Sequence, residues 1–103
     1  MSQHRFHTDE ATVVVGYDRT LDYVFLSVFE PKGDVLYSNL LDENAGTNQQ
    51  DVEYYRGVLA RLNIIVPESM FEEVKRDQIA RAGNRIVYHF LDRPPESGTA
   101  GSG

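Results

Sequence analysis

One stretch of this chain, residues 23–29, carries large apolar side chains on both faces of any strand that it forms. Successive side chains of a strand point to opposite faces. The two faces are Tyr23, Phe25 and Phe29 on one side, and Val24, Leu26 and Val28 on the other. A strand of this kind must be covered on both sides, so it belongs inside a layered fold or at an interface.

Three extended segments separated by turn-forming residues predict a β-meander. The first, 12–17, is rich in β-branched residues, the second spans 22–30, and the third spans 35–40. The breaks at 18–20 and 31–34 contain the Asp, Pro and Gly residues that favour turns. We therefore expect three consecutive antiparallel strands.

Two amphipathic helices are predicted to follow the meander. Thr47-x-x-Gln50 matches a capping box, and Asn48 is a weaker competing start. Apolar residues then recur at helical spacing, and Asn63 suits the left-handed position that ends a helix. The expected core stripe consists of Val52, Tyr55, Leu59 and Leu62.

The second helix is expected to open at Pro67 or at Ser69, because Ser69-x-x-Glu72 is again a capping box. Gly83 is its predicted terminator, and an extended run over 84–91 predicts a closing strand. The fold class is α+β with the order βββααβ, and both helices lie on one face of the sheet.

The predicted domain spans 11–91, between a polar N-terminal arm at 1–10 and a disordered tail at 92–103. With 103 residues, the chain has room for one domain and needs nearly every large apolar side chain for its core. No Cys is present, which excludes disulfides, thiolate metal sites and thiol nucleophiles and favours a cytoplasmic location. Neither a signal peptide nor a membrane span is expected.

The acidic charge is concentrated in the first half of the chain. Residues 1–51 hold nine acidic and three basic residues, whereas residues 52–103 hold seven of each. A net charge of −6 opposes general nucleic-acid binding, which relies on Lys and Arg to neutralise phosphates.

Two helices cover only one face of a four-stranded sheet, so the opposite face is expected to expose apolar surface. We therefore predict association with another protein or with a second copy of the chain. The predicted interface residues are Tyr23, Phe25, Leu26, Val28, Phe29, Tyr88 and Phe90.

Signals for chemistry are sparse. His89 is a candidate ligand or acid/base residue if Asp18 or Asp22 lies within hydrogen-bonding reach. His4 and His7 are competent metal ligands, but they fall in the predicted arm, so no metal or other cofactor is expected. No Ser lies in a nucleophile elbow, and no catalytic residue is assigned.

Three functions remain open from the sequence. The favoured one is an interaction or regulatory module, dimeric through the apolar sheet face, whose acidic half recognises a basic partner. The second is an inhibitor that mimics nucleic acid, which requires carboxylates at phosphate-like intervals. The third is a small enzyme or ligand-binding domain with a cleft around His89.

Overall fold

A five-stranded mixed sheet, covered by helices on one face, forms the protein in our computed structural model, which describes residues 1–46 and 50–90. The strands are β1 (Ser2–His7), β2 (Thr12–Asp18), β3 (Tyr23–Phe29), β4 (Val35–Ser38) and β5 (Arg85–His89). The helices are a 3₁₀ turn (Asn39–Leu41), α1 (Glu43–Gly46), α2 (Val52–Arg61) and α3 (Glu68–Ala80). The strand order is β4-β3-β2-β1-β5.

The α+β class is confirmed, and the predicted element order is only partly correct. The meander of β2, β3 and β4 pairs antiparallel, as expected. The sheet has an additional strand at the start of the chain, and α1 is an additional short helix. Leu91 and the predicted tail at 92–103 lie outside the described residues.

The additional strand, β1, replaces the predicted polar arm. It lies between β2, to which it is antiparallel, and β5, to which it is parallel. Ser2, His4 and Phe6 are buried, whereas Gln3 and Arg5 on the opposite face are partly exposed. The prediction was wrong because two of the three buried side chains are polar, so the usual apolar alternation of a strand is hidden.

The hydrophobic core lies between the sheet and the helices. Strands β2 and β3 contribute the valines and the leucine of one face, and α2 and α3 contribute a facing layer. Leu26 and Val28, which we assigned to an interface, are fully buried in this core. The assignment failed because the two faces of a uniformly apolar strand look alike in sequence. The principal core residues are Phe6, Val13, Val15, Val24, Leu26, Val28, Val52, Tyr55, Val58, Leu59, Met70, Phe71 and Val74.

Helix α2 starts later than the capping box predicted. Its N-cap is Asp51, whose carboxylate accepts a hydrogen bond from the Tyr54 amide. The predicted start at Thr47 and the competing one at Asn48 lie outside the described residues. Asn63 adopts the predicted left-handed conformation with a φ of 60°, whereas Leu62 is exposed and not part of the core stripe.

Helix α3 begins directly after Pro67, which carries no side-chain cap. Ser69 lies inside the first turn, so the predicted capping box does not form there. The helix ends at Ala80, and its C-cap residue Arg81 takes the left-handed conformation with a φ of 51°, so Gly83 is not the terminator. The hydroxyl of Ser69 is therefore free for a contact outside its own helix.

A carboxylate clamp holds β4 against α2. The hydroxyls of Tyr37 and Tyr54 donate to Asp42 Oδ2 over 2.6 and 2.7 Å, and the Asn44 amide donates to Oδ1. The hydrogen bond from Tyr37, followed by that from Tyr54, lowers the pKa of the Asp42 carboxyl below its usual range. The clamp therefore favours the ionised carboxylate.

The clamp predicts an acid-sensitive contribution to stability. Because the pKa of Asp42 is lower in the folded chain, its contribution is complete above the unfolded pKa of about 3.9 and is lost as the pH falls through the folded value. We expect D42N to show a smaller drop in urea midpoint between pH 6 and pH 3 than the parent chain. The control is D34N, at an exposed turn; an equal change in both variants would contradict the clamp.

Candidate functional site

A cluster of polar side chains lies where α3 crosses the β1–β5 side of the sheet. His4 is fully buried, Asp77 and His89 are nearly so, and Ser69 lies at the surface end of the cluster. Buried polar groups are costly unless each finds a partner. Their hydrogen bonds join them into one continuous chain.

The distances along this chain are short. Asp77 Oδ2 lies 2.6 Å from His4 Nε2, and His4 Nδ1 lies 2.9 Å from His89 Nε2. His89 Nδ1 lies 3.1 Å from the Ser69 hydroxyl. An ionised carboxylate only accepts hydrogen bonds, so His4 Nε2 is the donor to Asp77. Each imidazole thus has both ring nitrogens in contacts.

Two further charged side chains border the cluster. Arg85 donates to Asp77 Oδ1 over 2.9 Å and to Glu73 Oε1 over 3.3 Å. A nitrogen of each histidine and a carboxylate oxygen of Glu73 lie within 4.8 Å of one another. Glu73 is partly exposed and connects the buried imidazoles to the surface.

Two pKa values respond to this environment. Burial raises the pKa of the Asp77 carboxyl, but hydrogen bonds from His4 and Ser2, together with the charge of Arg85, bring it below its usual range. Burial lowers the pKa of His89, and the proximity of His4 and Arg85 acts in the same direction, against the charge of Glu73, which raises it. The cluster therefore favours an ionised Asp77 and a neutral His89.

The topology explains why these residues meet. The parallel pairing of β1 with β5 sets Phe6 opposite His89, so His4 and His89 share the face that packs under α3. On α3, Ser69, Glu73 and Asp77 are spaced by four residues and form one stripe along the helix. Helix and strands therefore bring five chemically active groups into one place.

Of the predicted ligand candidates, only His89 is in the cluster. Asp18 caps the β2–β3 turn by accepting from the Leu21 amide. Asp22 accepts from the Tyr17 hydroxyl and pairs with Arg81. Both lie beyond the opposite end of the strands from His89, as the pairing of β1, β2 and β5 shows. Two other carboxylates act on His89: Glu73 directly, from within 4.8 Å, and Asp77 indirectly, through its hydrogen bond to His4.

The two arm histidines, which are competent metal ligands by residue type alone, are also separated. His4 and His7 are three residues apart on one strand, so they point to opposite faces. His7 is exposed. Its ring forms a hydrogen bond with the Thr12 hydroxyl and stacks on Tyr88. The signal that we missed was the four-residue spacing of Ser69, Glu73 and Asp77, which marks one polar line on an otherwise amphipathic helix.

The second candidate site is the sheet face that carries no helix, which we call the open face. Its apolar members come from β2, β3 and β5. They are Val14, which is buried, and Tyr23, Phe25, Phe29, Ile86 and Tyr88. Ile86 and Tyr88 are 58% and 57% exposed. Gln3 and Arg5 of β1 lie between the β3 and β5 groups and are joined by a hydrogen bond. The open face is therefore two apolar patches on either side of a polar strip.

Two further apolar surfaces are exposed, at Phe90 and along the edge strand β4. Phe90 follows β5 and is exposed. A groove of about 280 Å³ runs along β4, lined by residues that include Leu36 and Leu41. None of the helices in residues 1–46 and 50–90 has the length and apolar character needed to cross a membrane.

Comparison with known proteins gives no match: no protein-family model fits the chain, and neither the curated proteins nor the solved structures contain a significantly similar one.

Proposed function

We propose that this chain is a small association module that forms a twofold dimer through its open face. The observation that carries the proposal is the exposure of Ile86 and Tyr88 on a face where Phe25 and Phe29 are only partly buried. All the helical residues of the core pack against the opposite face. Apolar surface of this kind gains free energy when it is removed from water.

A second copy of the chain fits this face because the two apolar patches flank a polar strip. A twofold axis parallel to the strands, between β1 and β2, sets Phe25 and Phe29 of one copy against Ile86 and Tyr88 of the other. The same axis sets β1 against β2, which places Arg5 near the centre. Symmetric contacts of this type are self-complementary, and a standard interface needs about 800 Å² from each partner.

The test is the oligomeric state of the untagged chain at micromolar concentration, measured by size exclusion with light scattering. We expect a dimer for the parent chain and a monomer for Y88D, because the new carboxylate must lose its water at the interface. Since Tyr88 is more than half exposed, the monomer keeps its fold. The matched control is I79D: Ile79 is 85% exposed on α3, outside the open face, so this variant stays dimeric.

Two outcomes contradict this proposal. A monomeric parent chain would contradict the proposed dimer directly. Loss of the dimer in L41D but not in Y88D would place association at the β4 edge, where Leu41 is 79% exposed, and not at the open face.

The function that we propose is therefore binding to other protein surfaces. We extend the proposal to a cytoplasmic module whose acidic half recognises a basic protein. The chain contains no Cys, so it gains nothing from an oxidising compartment. The acidic excess lies in residues 1–51, which include strands β1 to β4.

Nucleic-acid mimicry has less support. Several acidic residues are neutralised by Arg or Lys, including Glu53 by Arg56 and Lys75, and Asp22 by Arg81. Paired carboxylates do not present the repeated negative charge of a phosphate backbone. A ligand-binding role around His89 is supported by its contact with His4, although the acidic partner differs from the one expected.

A further inference from the structure

We propose that His4, His89 and Glu73 bind a divalent transition metal ion, with Zn²⁺ as the best chemical match. The nitrogen and oxygen ligand atoms of the three residues lie within 4.8 Å of one another. Two imidazoles and one carboxylate are a donor set that suits zinc and its neighbours better than magnesium or calcium, which prefer oxygen ligands. The site is independent of the dimer, because it lies on the helix-covered face.

The hydrogen bonds specify which atoms would bind the metal. Because Asp77 accepts from His4 Nε2, the lone pair of a neutral His4 is on Nδ1. That atom faces His89 Nε2 over 2.9 Å. In the tautomer of His89 that carries its proton on Nδ1, this nitrogen donates to the Ser69 hydroxyl. The lone pair on Nε2 is then free to bind the metal. Two nitrogen ligands then face one point without any loss of a proton.

The third ligand is Glu73, whose carboxylate has an oxygen to spare. Arg85 donates to Oε1 over 3.3 Å, which leaves Oε2 for a metal ion. The Glu73 side chain is 30% exposed, so it also provides the path by which an ion enters. Three protein ligands leave a fourth tetrahedral position for a water molecule.

The residues behind the ligands match the outer shell of natural zinc sites. Such sites usually bind the second ring nitrogen of each histidine to a carboxylate or another acceptor, which fixes the ring and increases its basicity. Asp77 does this for His4 over 2.6 Å, and Ser69 does it for His89 over 3.1 Å. Both partners are already in place.

Only small movements separate this arrangement from a zinc site. With zinc–ligand bonds of about 2.0 to 2.1 Å, tetrahedral ligand atoms are about 3.3 Å apart. The facing imidazole nitrogens are 2.9 Å apart and must separate slightly. The glutamate oxygen must approach, which a partly exposed side chain achieves by rotation.

The experiment is a titration of the tag-free, chelator-treated full chain with Zn²⁺, followed by calorimetry, and with Co²⁺, followed by its visible absorption. We expect one equivalent to bind, a tetrahedral Co²⁺ spectrum and a higher melting temperature with Zn²⁺. E73Q and H89Q should each weaken binding by at least about 100-fold, and D77N by about 10- to 100-fold. E73Q changes a partly exposed side chain, so it tests the site even if H89Q fails to fold.

The controls are H7Q and E72Q, which remove an exposed histidine and an exposed acid outside the cluster. Both should bind Zn²⁺ as tightly as the parent chain. The proposal is overturned if the parent chain takes up no stoichiometric Zn²⁺, if binding survives in both E73Q and H89Q, or if H7Q loses it equally. Because Y88D leaves the cluster intact, it separates failure of the metal site from failure of the dimer.

Discussion

The L26D variant is expected not to fold, whereas the F25D variant of the neighbouring residue keeps the native fold. Leu26 has no exposed surface and lies in the core between the sheet and the helices. Truncating such a leucine alone costs about 2 to 5 kcal/mol, and a buried carboxylate without a partner adds several more. The total is comparable to the whole stability of a small domain, about 5 to 15 kcal/mol.

Phe25 provides the matched control because it lies on the open face and is partly exposed. Its replacement by aspartate puts the charge in water, so far-UV circular dichroism should show native secondary structure for F25D and none for L26D. The same F25D variant should be monomeric if the proposed dimer is correct. A folded L26D variant would mean that the helices do not pack on this face of β3.

Replacing Gly16 by alanine is expected to destabilise the fold by about 3 kcal/mol or more, near the upper end of overpacking effects. Gly16 lies in β2, where an added Cβ would be 2.0 Å from the Ser2 carbonyl oxygen and 2.8 Å from Phe25 Cζ. Backbone cannot give way as a flexible side chain can, so β1 must shift away from β2. The shift weakens the pairing that holds β1 in the sheet.

The control is the same substitution at Gly57, in the middle of α2. No atom lies within 4 Å of an added Cβ there, and alanine is the better helix former. We expect G57A to raise the free energy of unfolding by about 0.5 to 1 kcal/mol. Urea denaturation of both variants checks the pair; equal effects would show that the close approach of Phe25 and Ser2 to Gly16 is not a constraint.

Much of the fold was predictable because strands and helices with apolar faces leave a clear period in the sequence. The valines of β2 and the stripe of Met70, Phe71 and Val74 on α3 are examples, and all are buried. The first strand was not predictable in the same way. Its buried side chains at Ser2 and His4 are stabilised by hydrogen bonds, which hydrophobic periodicity does not detect.

The candidate metal site shows the same limit more sharply. His89 was recognisable as a chemical candidate from its type and position alone. Its hydrogen-bond partners, His4 and Ser69, are 85 and 20 residues away in sequence, and His4 belongs to the predicted polar arm. A single sequence gives no measure of such long-range pairing. The acidic partners predicted for His89 were therefore Asp18 and Asp22, at a predicted turn.

The two candidate surfaces lie on opposite sides of β5, which makes their tests separable. Tyr88 faces the open side and stacks on His7, whereas His89 faces α3 and contacts His4. Neighbouring residues of one strand therefore report on different properties. We expect a variant at Tyr88 to change association and a variant at His89 to change ion binding.

The parallel pairing of β1 with β5 has a consequence for the order of folding. Ser2 aligns with Arg85, so the sheet is complete only when the last strand pairs with the first. Contacts of such sequence separation form late and slow the overall reaction. His4 and His89 meet only when β1 pairs with β5. If the proposed zinc site is correct, the rate of zinc uptake during refolding would therefore report on this pairing, which secondary-structure signals do not resolve.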